Sequence, residues 1–291
     1  MIIKRRPITD RLQDRLWSIR AKRVALEMPT ALGEATQCGS ISGEMAWPRA
    51  CTALADGAIR SARFRRLRAV MEVVETLGPS DGRHHARLIR AAGHAEWLER
   101  PEFLALASWG APLLWPGILL ETQRAIAPTS LRYLSHALWL RDEGLVGERA
   151  HIAEIGVGYG GLVAMNALVS QARTTLVDLP NVKRAAMRML AENALTDAAL
   201  THSSFDCVIS NYAFTELSSD LQDRMLSNFI AGSRHGMILS NARVFSQHIG
   251  GRSNEELLAA LKEHGINARI DYEHPLLSPS DRTCGNVLIL W

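Results

Sequence analysis

Residues 151–161, HIAEIGVGYGG, constrain the fold of this chain more than any other stretch. A short apolar run leads into four glycines, and apolar residues at helical spacing follow directly. A strand, a glycine-rich turn and a helix in this order are typical of the first unit of a nucleotide-binding βαβ fold. The glycines let the backbone turn sharply and let a ligand lie against it. The alternative is a tight turn that binds nothing.

Two carboxylates narrow the choice of ligand. Glu154 lies at the end of the first predicted strand, where a carboxylate suits a ligand that carries an ammonium group. Asp178 ends the next predicted strand, where an acidic residue holds the hydroxyls of a ribose. Together they predict an adenosine with an amino-acid tail, which is S-adenosylmethionine, rather than a dinucleotide.

Composition excludes several classes of protein. The chain has 291 residues, of which 47% are apolar and 22% charged, as in ordinary soluble globular proteins. A net charge of +3 is too small to indicate nucleic-acid binding. Four scattered cysteines and the lack of Asp/His clusters with ligand spacing predict neither a disulfide framework nor a metal site. No signal peptide or membrane span is evident, so the expected location is cytoplasmic.

The sequence divides near residue 149. Residues 1–148 predict a mainly helical region that covers the substrate site and could form a homodimer interface. Its predicted helices and loops are as follows: a helix over 8–28, a loop over 29–48, one long helix over 49–77, a break at 79–82, more helix over 83–108 and a helix over 130–143. Arginines at 63, 65, 66 and 68 are interpreted as a solvated helix face rather than a nucleic-acid patch, because no aromatic residues accompany them.

Residues 149–291 alternate strands with helices, which predicts an α/β fold with a mostly parallel, Rossmann-like sheet. The predicted strands are 151–157, 174–178, 205–211, 236–241, 267–273 and 286–291, with a further weak one near 198–202. The predicted helices are 161–172, 182–195, 219–232 and 253–264. Capping boxes are expected at Ser219 with Gln222 and at Ser253 with Glu256. The short connection between the last two strands favours an antiparallel pair.

Four stretches, in this order, resemble the class I S-adenosylmethionine-dependent methyltransferases, and more closely the sugar O-methyltransferase family. They are APTSLRYL from Ala127, EIGVGYGG from Glu154, VDLPNV from Val177 and FDCVISNYAFTEL from Phe205. The closing GNVLILW is also similar, and the resemblance covers roughly residues 125–291. It implies the class I methyltransferase fold, with a terminal antiparallel strand, and S-adenosylmethionine as cofactor.

The resemblance also implies roles for particular residues. The floor of the cofactor site would be formed by Glu154, Gly156, Gly158 and Tyr159, with Asp178 on the ribose and Leu179 along the adenine. Phe205 and Asp206 would lie near the adenine, and Asn211 and Tyr212 beside the methionine part and the methyl group. Asp197 is the acidic residue nearest to where the adenine amino group would be bound.

A sugar hydroxyl reacts poorly while it keeps its proton, so a general base is expected. Glu216, just beyond the strand at 205–211, is one candidate, and a capping carboxylate is the equal alternative. His248, in a predicted loop after the next strand, is another, against a surface histidine. Candidate substrate contacts are Arg132, Tyr133 and Trp115. Arg132 could meet a carboxylate of either the substrate or the cofactor, and an interdomain salt bridge is the equal alternative. For Tyr133 and Trp115 the alternatives are a buried tyrosine and a core tryptophan.

The sequence thus predicts an S-adenosylmethionine-dependent O-methyltransferase that acts on a hydroxyl of a sugar or glycosylated small molecule. Methylation of a nitrogen or oxygen on another natural product or a peptide is an alternative acceptor class. A nicotinamide-dependent oxidoreductase is disfavoured by Glu154 and by the terminal strand pair. A non-catalytic scaffold that keeps the fold is the remaining alternative.

Overall fold

The computed structural model describes residues 7–28, 40–44, 46–199 and 204–291. Its centre is a six-stranded sheet of order β2-β1-β3-β4-β6-β5. The strands are β1 His151–Ile155, β2 Arg173–Val177, β3 Cys207–Asn211, β4 His235–Ser240, β5 Arg269–Asp271 and β6 Val287–Leu290. The first four in the order run parallel, and β6 is antiparallel to both β4 and β5. The predicted Rossmann-like sheet with an antiparallel terminal pair is confirmed.

Thirteen α-helices surround the sheet in the described residues. They are α1 Ile8–Val24, α2 Trp47–Ala55, α3 Arg68–Val73, α4 Pro79–Ala91, α5 Pro101–Ser108, α6 Gly117–Leu120, α7 Pro128–Asp142, α8 Gly161–Ser170, α9 Pro180–Ala191, α10 Ser219–Met225, α11 Ala242–Ile249, α12 Asn254–Glu263 and α13 Pro279–Cys284. No helix in these ranges is long and apolar enough to cross a bilayer.

Both faces of the sheet are buried. Successive strand residues point to opposite faces, and each face contributes to a hydrophobic core. Ile152 of β1 contributes to a core shared with α4, α5 and α7 of the N-terminal half. The adjacent Ala153 contributes to a core on the other face with α12. The N-terminal helices therefore pack directly on the sheet. Whether residues 1–148 form a separate domain stays a prediction.

The predicted long helix over 49–77 is wrong. Helix α2 ends at Ala55, the chain turns at Gly57 with φ of +83°, and a 3-10 segment, Ser61–Arg66, precedes α3. The interpretation of the nearby arginines as a solvated face fails at Arg65, which is fully buried. The turn at Gly57 breaks the helical register, so Arg65 points inward.

The other helices of this half also differ from expectation. Pro79 begins α4 instead of marking a break, as a proline in the first turn of a helix can. The expected helix over 83–108 is divided at Gly93, where φ is +83°, and at Pro101. Within the loop expected over 29–48, residues 29–39 and 45 lie outside the described part. Along α1, Ile8, Leu12, Leu16 and Ile19 are exposed, and the homodimer stays a prediction.

In the C-terminal half, the capping box at Ser253 and Glu256 is confirmed. The one at Ser219 and Gln222 is wrong, because Gln222 instead donates to the carbonyl of Phe214. The weak strand near 198–202 is reduced in the described residues to a single bridge between Thr174 and Ala199, since 200–203 lie outside them. Helix α13, of six residues, lies in the connection between β5 and β6.

Candidate functional site

A cavity of about 360 Å³ lies at the carboxyl ends of β1, β2 and β3. Parallel sheets bind ligands at this edge, where neighbouring strands diverge. Two walls enclose it. The sheet wall consists of residues 154–156, 158, 177–180, 211–213, 216, 217, 221 and 225. The helical wall consists of Ser40, Ser42, Trp47, Val73, Val74, Thr76, Thr129, Arg132 and Tyr133.

The glycine turn forms the floor. Gly156 has φ of +84°, and a Cβ atom there would collide with the Cβ of Ala213 beyond β3. A Cβ on Gly161, at the start of α8, would collide with the ring of Tyr133. These two positions therefore require glycine, and they bring the turn close to both walls.

Glu154 is a buried carboxylate of the sheet wall, with only 3% of its surface exposed. Its Oε2 accepts no hydrogen bond from any described residue. Burial, reinforced by the nearby Asp178 carboxylate, raises the pKa of Glu154 well above its usual value. A buried anion without a partner is costly, so this group is suited to a cationic ligand.

Asp178 lies beside it, at the end of β2. Its Oδ1 accepts a hydrogen bond of 2.7 Å from the backbone N–H of Leu179. Burial raises the pKa of Asp178 to about 7, and backbone N–H groups of Leu179, Val157 and Gly158 oppose that rise. The carboxylate is thus fixed by the glycine turn and titrates near neutral pH.

The end of β3 supplies Asn211 and Tyr212, which both line the cavity. The Asn211 side chain interacts with the buried ring of His136. Tyr212 has φ of +72°, a strained value for a non-glycine residue, and its hydroxyl donates to Oδ1 of Asp281 in α13. The guanidinium of Arg132 lies 5.2 Å from the centre of the Tyr212 ring.

Glu216 ends a 3-10 turn, Ala213–Glu216, and it lines the cavity. Its Oε1 accepts a hydrogen bond of 2.7 Å from the amide of Asn241, which is itself bonded to the Thr215 hydroxyl at 2.7 Å. Burial raises the pKa of Glu216, and the bond from Asn241 opposes that rise. A held carboxylate with a raised pKa is better suited to accept a proton than an exposed one.

The helical wall brings residues from distant parts of the chain to the same cavity. Thr129, Arg132 and Tyr133 lie on one face of α7, three and four positions apart. The segment 40–44 pairs with the sheet wall through an antiparallel bridge between Ser40 and Leu217, and the N–H of Ile41 donates to the carbonyl of Glu216. The sequence predicted Arg132 and Tyr133 but missed the rest of this wall.

Phe205 and Asp206 are the first correction among the predicted cofactor contacts. Both precede the first residue of β3, so they lie at the edge of the sheet opposite to the cavity. A five-residue strand separates them from its far end. Asp206 accepts a hydrogen bond of 2.9 Å from the N–H of His151, and Phe205 packs on Phe229.

Three further predictions also fail on geometry. Tyr159 points away from the cavity and packs against Trp109 and Tyr133, below the glycine turn. Trp115 is buried in the core, with its ring centre 4.2 Å from that of Trp17. His248 is exposed near the end of α11, because the expected loop is a helix, and it does not line the cavity.

The remaining predicted residues are assembled as expected around one cavity. They are Glu154, Gly156, Gly158, Asp178, Leu179, Asn211, Tyr212, Glu216, Arg132 and Tyr133. Asp197 is exposed and outside it. No cluster of three or more histidine, cysteine or acidic residues suited to a metal ion occurs in the described part of the chain.

No protein-family model matches the chain, and no curated protein matches it significantly. Among solved structures, it is similar to geranyl diphosphate C-methyltransferase from Streptomyces coelicolor, with 15% identity, 54% of this chain and 74% of the other covered, and a TM-score of 0.41. A SAM-dependent methyltransferase from Aquifex aeolicus is 12% identical, with 53% of this chain and 87% of the other covered, and a TM-score of 0.40. Phosphoethanolamine N-methyltransferase 2 from Haemonchus contortus is 16% identical, with 47% of this chain and 38% of the other covered, and a TM-score of 0.39. Matches this distant carry no functional assignment.

Proposed function

We propose that this chain is an S-adenosylmethionine-dependent O-methyltransferase that acts on a hydroxyl of a sugar or glycosylated small molecule. The observation that carries the proposal is the pair Glu154 and Asp178 beside a glycine floor in one cavity. Both carboxylates are desolvated, and Oε2 of Glu154 has no partner in the described residues. A ligand with an ammonium group and a ribose would satisfy both.

The residues present fit this cofactor. Asp178 can accept hydrogen bonds from the two ribose hydroxyls, and Leu179 supplies an apolar surface for the adenine. Glu154 can pair with the ammonium group of the methionine part. The sulfonium is also a cation, so two buried carboxylates favour the charged cofactor over its neutral thioether product.

When bound, the cofactor supplies an electrophilic methyl group on a sulfonium. The protein aligns the acceptor oxygen with that methyl group and excludes water. Glu216 accepts the hydroxyl proton on its carboxylate, while Asn241 holds the Oε1 atom in place. The cofactor would supply its methyl group to that oxygen and would leave as the neutral thioether, while Glu216 would hold the proton that the oxygen loses.

Two arguments support the acceptor class. A hydroxyl needs a base, and the cavity holds Glu216 in a position to serve as one. The four sequence stretches from Ala127 to Leu217 resemble the sugar O-methyltransferases. A neutral amine would react without a base, so a carboxylate held in this way favours the oxygen acceptor.

Titration calorimetry with S-adenosylhomocysteine tests the cofactor, and the absence of binding at high micromolar concentration would contradict the proposal. Asp197→Ala provides a matched control for Asp178→Ala, because Asp197 is an exposed acidic residue outside the cavity. Mass spectrometry across a panel of glycosides, amines and peptides then tests the acceptor. Methylation of amines or peptides alone would overturn the sugar assignment and leave the cofactor in place.

A further inference from the structure

Arg132 is the one cation among the described residues that line the cavity. It is buried, with 7% of its surface exposed. Its Nε makes no hydrogen bond within the described residues, and its Nη2 lies 3.4 Å from both oxygens of Asp281. These contacts are long for a charge-assisted hydrogen bond. The guanidinium is therefore buried beside the cavity with an unused donor, Nε, within the described residues.

Asp281 forms a salt bridge with Arg132, which is the alternative that the sequence offered for this arginine, and other donors hold the carboxylate as well. Its Oδ2 accepts shorter bonds from the backbone N–H and the hydroxyl of Ser278, at 2.8 and 2.7 Å. Its Oδ1 accepts from the hydroxyl of Tyr212 and from the amide of Asn286. Because four other donors satisfy this carboxylate, the guanidinium keeps capacity for a second anion.

The start of α7 adds a second feature that attracts an anion. The helix has 15 residues, begins at Pro128 and has no side-chain N-cap in the described residues. No side chain therefore caps the positive end of its dipole within the described residues. Thr129, in the first turn, and Arg132, one turn later, both line the cavity.

The neighbouring charges indicate which anion fits. Glu154 lines the same cavity with an unpartnered oxygen, and Tyr133 interacts electrostatically with both Glu154 and Arg132. Glu154 and Arg132 form no ion pair with each other in the described structure. His136, also beside Arg132, is buried, and its pKa is lowered to about 3, so it stays neutral and adds no competing cation. One wall thus offers a negative group and the other a positive group.

We propose that Arg132 and the first turn of α7 bind the carboxylate of the cofactor's amino-acid part, while Glu154 binds its ammonium group. An α-amino acid carries both charges on one carbon, so it can bridge the two walls. This inference rests on the proposed function. Of the two carboxylates that the sequence offers to Arg132, it selects that of the cofactor over that of the substrate, and it makes α7 part of the cofactor site.

The test compares S-adenosylhomocysteine with 5′-methylthioadenosine, which keeps the adenosine and thioether but lacks the amino-acid part. In Arg132→Met, calorimetry should show about 10- to 100-fold weaker binding of S-adenosylhomocysteine. Binding of 5′-methylthioadenosine should be unchanged. Arg132→Lys keeps the charge without the planar fork and should give an intermediate loss. Arg66→Met is the matched control, because Arg66 is half-buried with an unpartnered Nε in the described residues but lies outside the cavity.

Equal losses for both nucleosides would overturn the proposal, since they would indicate a general effect on the cavity. Unchanged binding of S-adenosylhomocysteine would overturn it as well. If Arg132→Met does not fold, the wild-type protein decides: it must bind S-adenosylmethionine more tightly than the decarboxylated analogue, and equal affinities reject the carboxylate site. If the wild type binds none of these compounds, the proposed function itself fails, which is a distinguishable result.

Discussion

The two walls of the cavity differ in how the chain builds them. The sheet wall comes from the ends of adjacent parallel strands and carries the acidic residues Glu154, Asp178 and Glu216. The helical wall comes from segments around residues 40, 74 and 130 and carries the one cation of the described lining, Arg132. The sheet wall is set by local sequence, whereas the helical wall exists only after distant helices have packed. The negative charges of the cavity therefore depend on local sequence, whereas its positive charge depends on the packing of distant helices.

The largest expected effect concerns the sheet wall. Glu216→Gln removes the proton acceptor but keeps the size of the side chain, so kcat for methyl transfer should fall about 10²- to 10⁴-fold. Binding of S-adenosylhomocysteine should not change. His248→Gln, an exposed position outside the cavity, serves as control and should keep full activity. If the two variants had equal rates, Glu216 would be only a structural carboxylate.

The next effect concerns Arg65, whose partners Glu75 and Ser130 adjoin residues of the helical wall in the chain. Arg65 is fully buried and donates to Glu75 at 2.6 Å, to the carbonyl of Trp109 at 3.1 Å and to the hydroxyl of Ser130 at 3.1 Å. Arg65→Met leaves Glu75 buried and uncompensated, so the free energy of unfolding should fall by about 3–5 kcal/mol. Chemical denaturation measures this, with the exposed Arg63→Met as control. A similar small loss in both would mean that the wall does not depend on Arg65.

Asp178→Asn tests the cofactor contact of the sheet wall alone. Loss of the charged acceptor should weaken binding of S-adenosylhomocysteine about 10- to 100-fold. The fold should remain, because an amide keeps the hydrogen bond from the N–H of Leu179. Calorimetry together with a thermal melt separates the two effects. Unchanged affinity would show that the nucleoside binds elsewhere.

The smallest effect is a pH dependence with opposite signs for binding and stability. Since the pKa of Asp178 is raised to about 7, its carboxylate form, and with it cofactor affinity, should increase up to that pH and then level off. The change should be about tenfold per pH unit below the midpoint. The folded state holds the Asp178 proton more tightly than the unfolded state does. The free energy of unfolding should therefore decrease as the pH rises toward 7. Asp178→Asn should remove the contribution of Asp178 to the pH dependence of cofactor affinity and of the free energy of unfolding. If neither pH dependence changed, both would arise from other titratable groups.

The sequence predicted the sheet wall because its signals are local. A strand, a glycine turn and a helix are adjacent in the chain, and acidic residues at strand ends fall at one edge of a parallel sheet. Gly156 could be identified because only glycine suits both its φ of +84° and its approach to Ala213. Phe205 and Asp206 were assigned by the family resemblance instead, and they fail because residues before a parallel strand lie at the opposite edge of the sheet.

The helical wall could be predicted only in part. Arg132 and Tyr133 lie in a recognisable motif, but Trp47 and Val74 reach the cavity through packing that no spacing in the sequence reveals. Trp115 and Tyr159 carried side chains suitable for ligands, yet non-local contacts place them in the core. His248 failed because a helix replaced the expected loop. Residue type suggests a function, whereas burial decides whether the side chain can reach a ligand.

The strand order has a consequence for the assembly of the molecule during synthesis. β6 follows β5 in the chain but lies between β4 and β5, so β5 has no neighbour in the sheet until β6 is inserted. Helix α13, which carries Asp281, immediately precedes β6. Tyr212 therefore emerges from the ribosome well before Asp281, whose carboxylate accepts a hydrogen bond from the Tyr212 hydroxyl. A nascent chain that has already formed the glycine turn therefore completes the wall of the cavity at Tyr212 only after this later segment has been made.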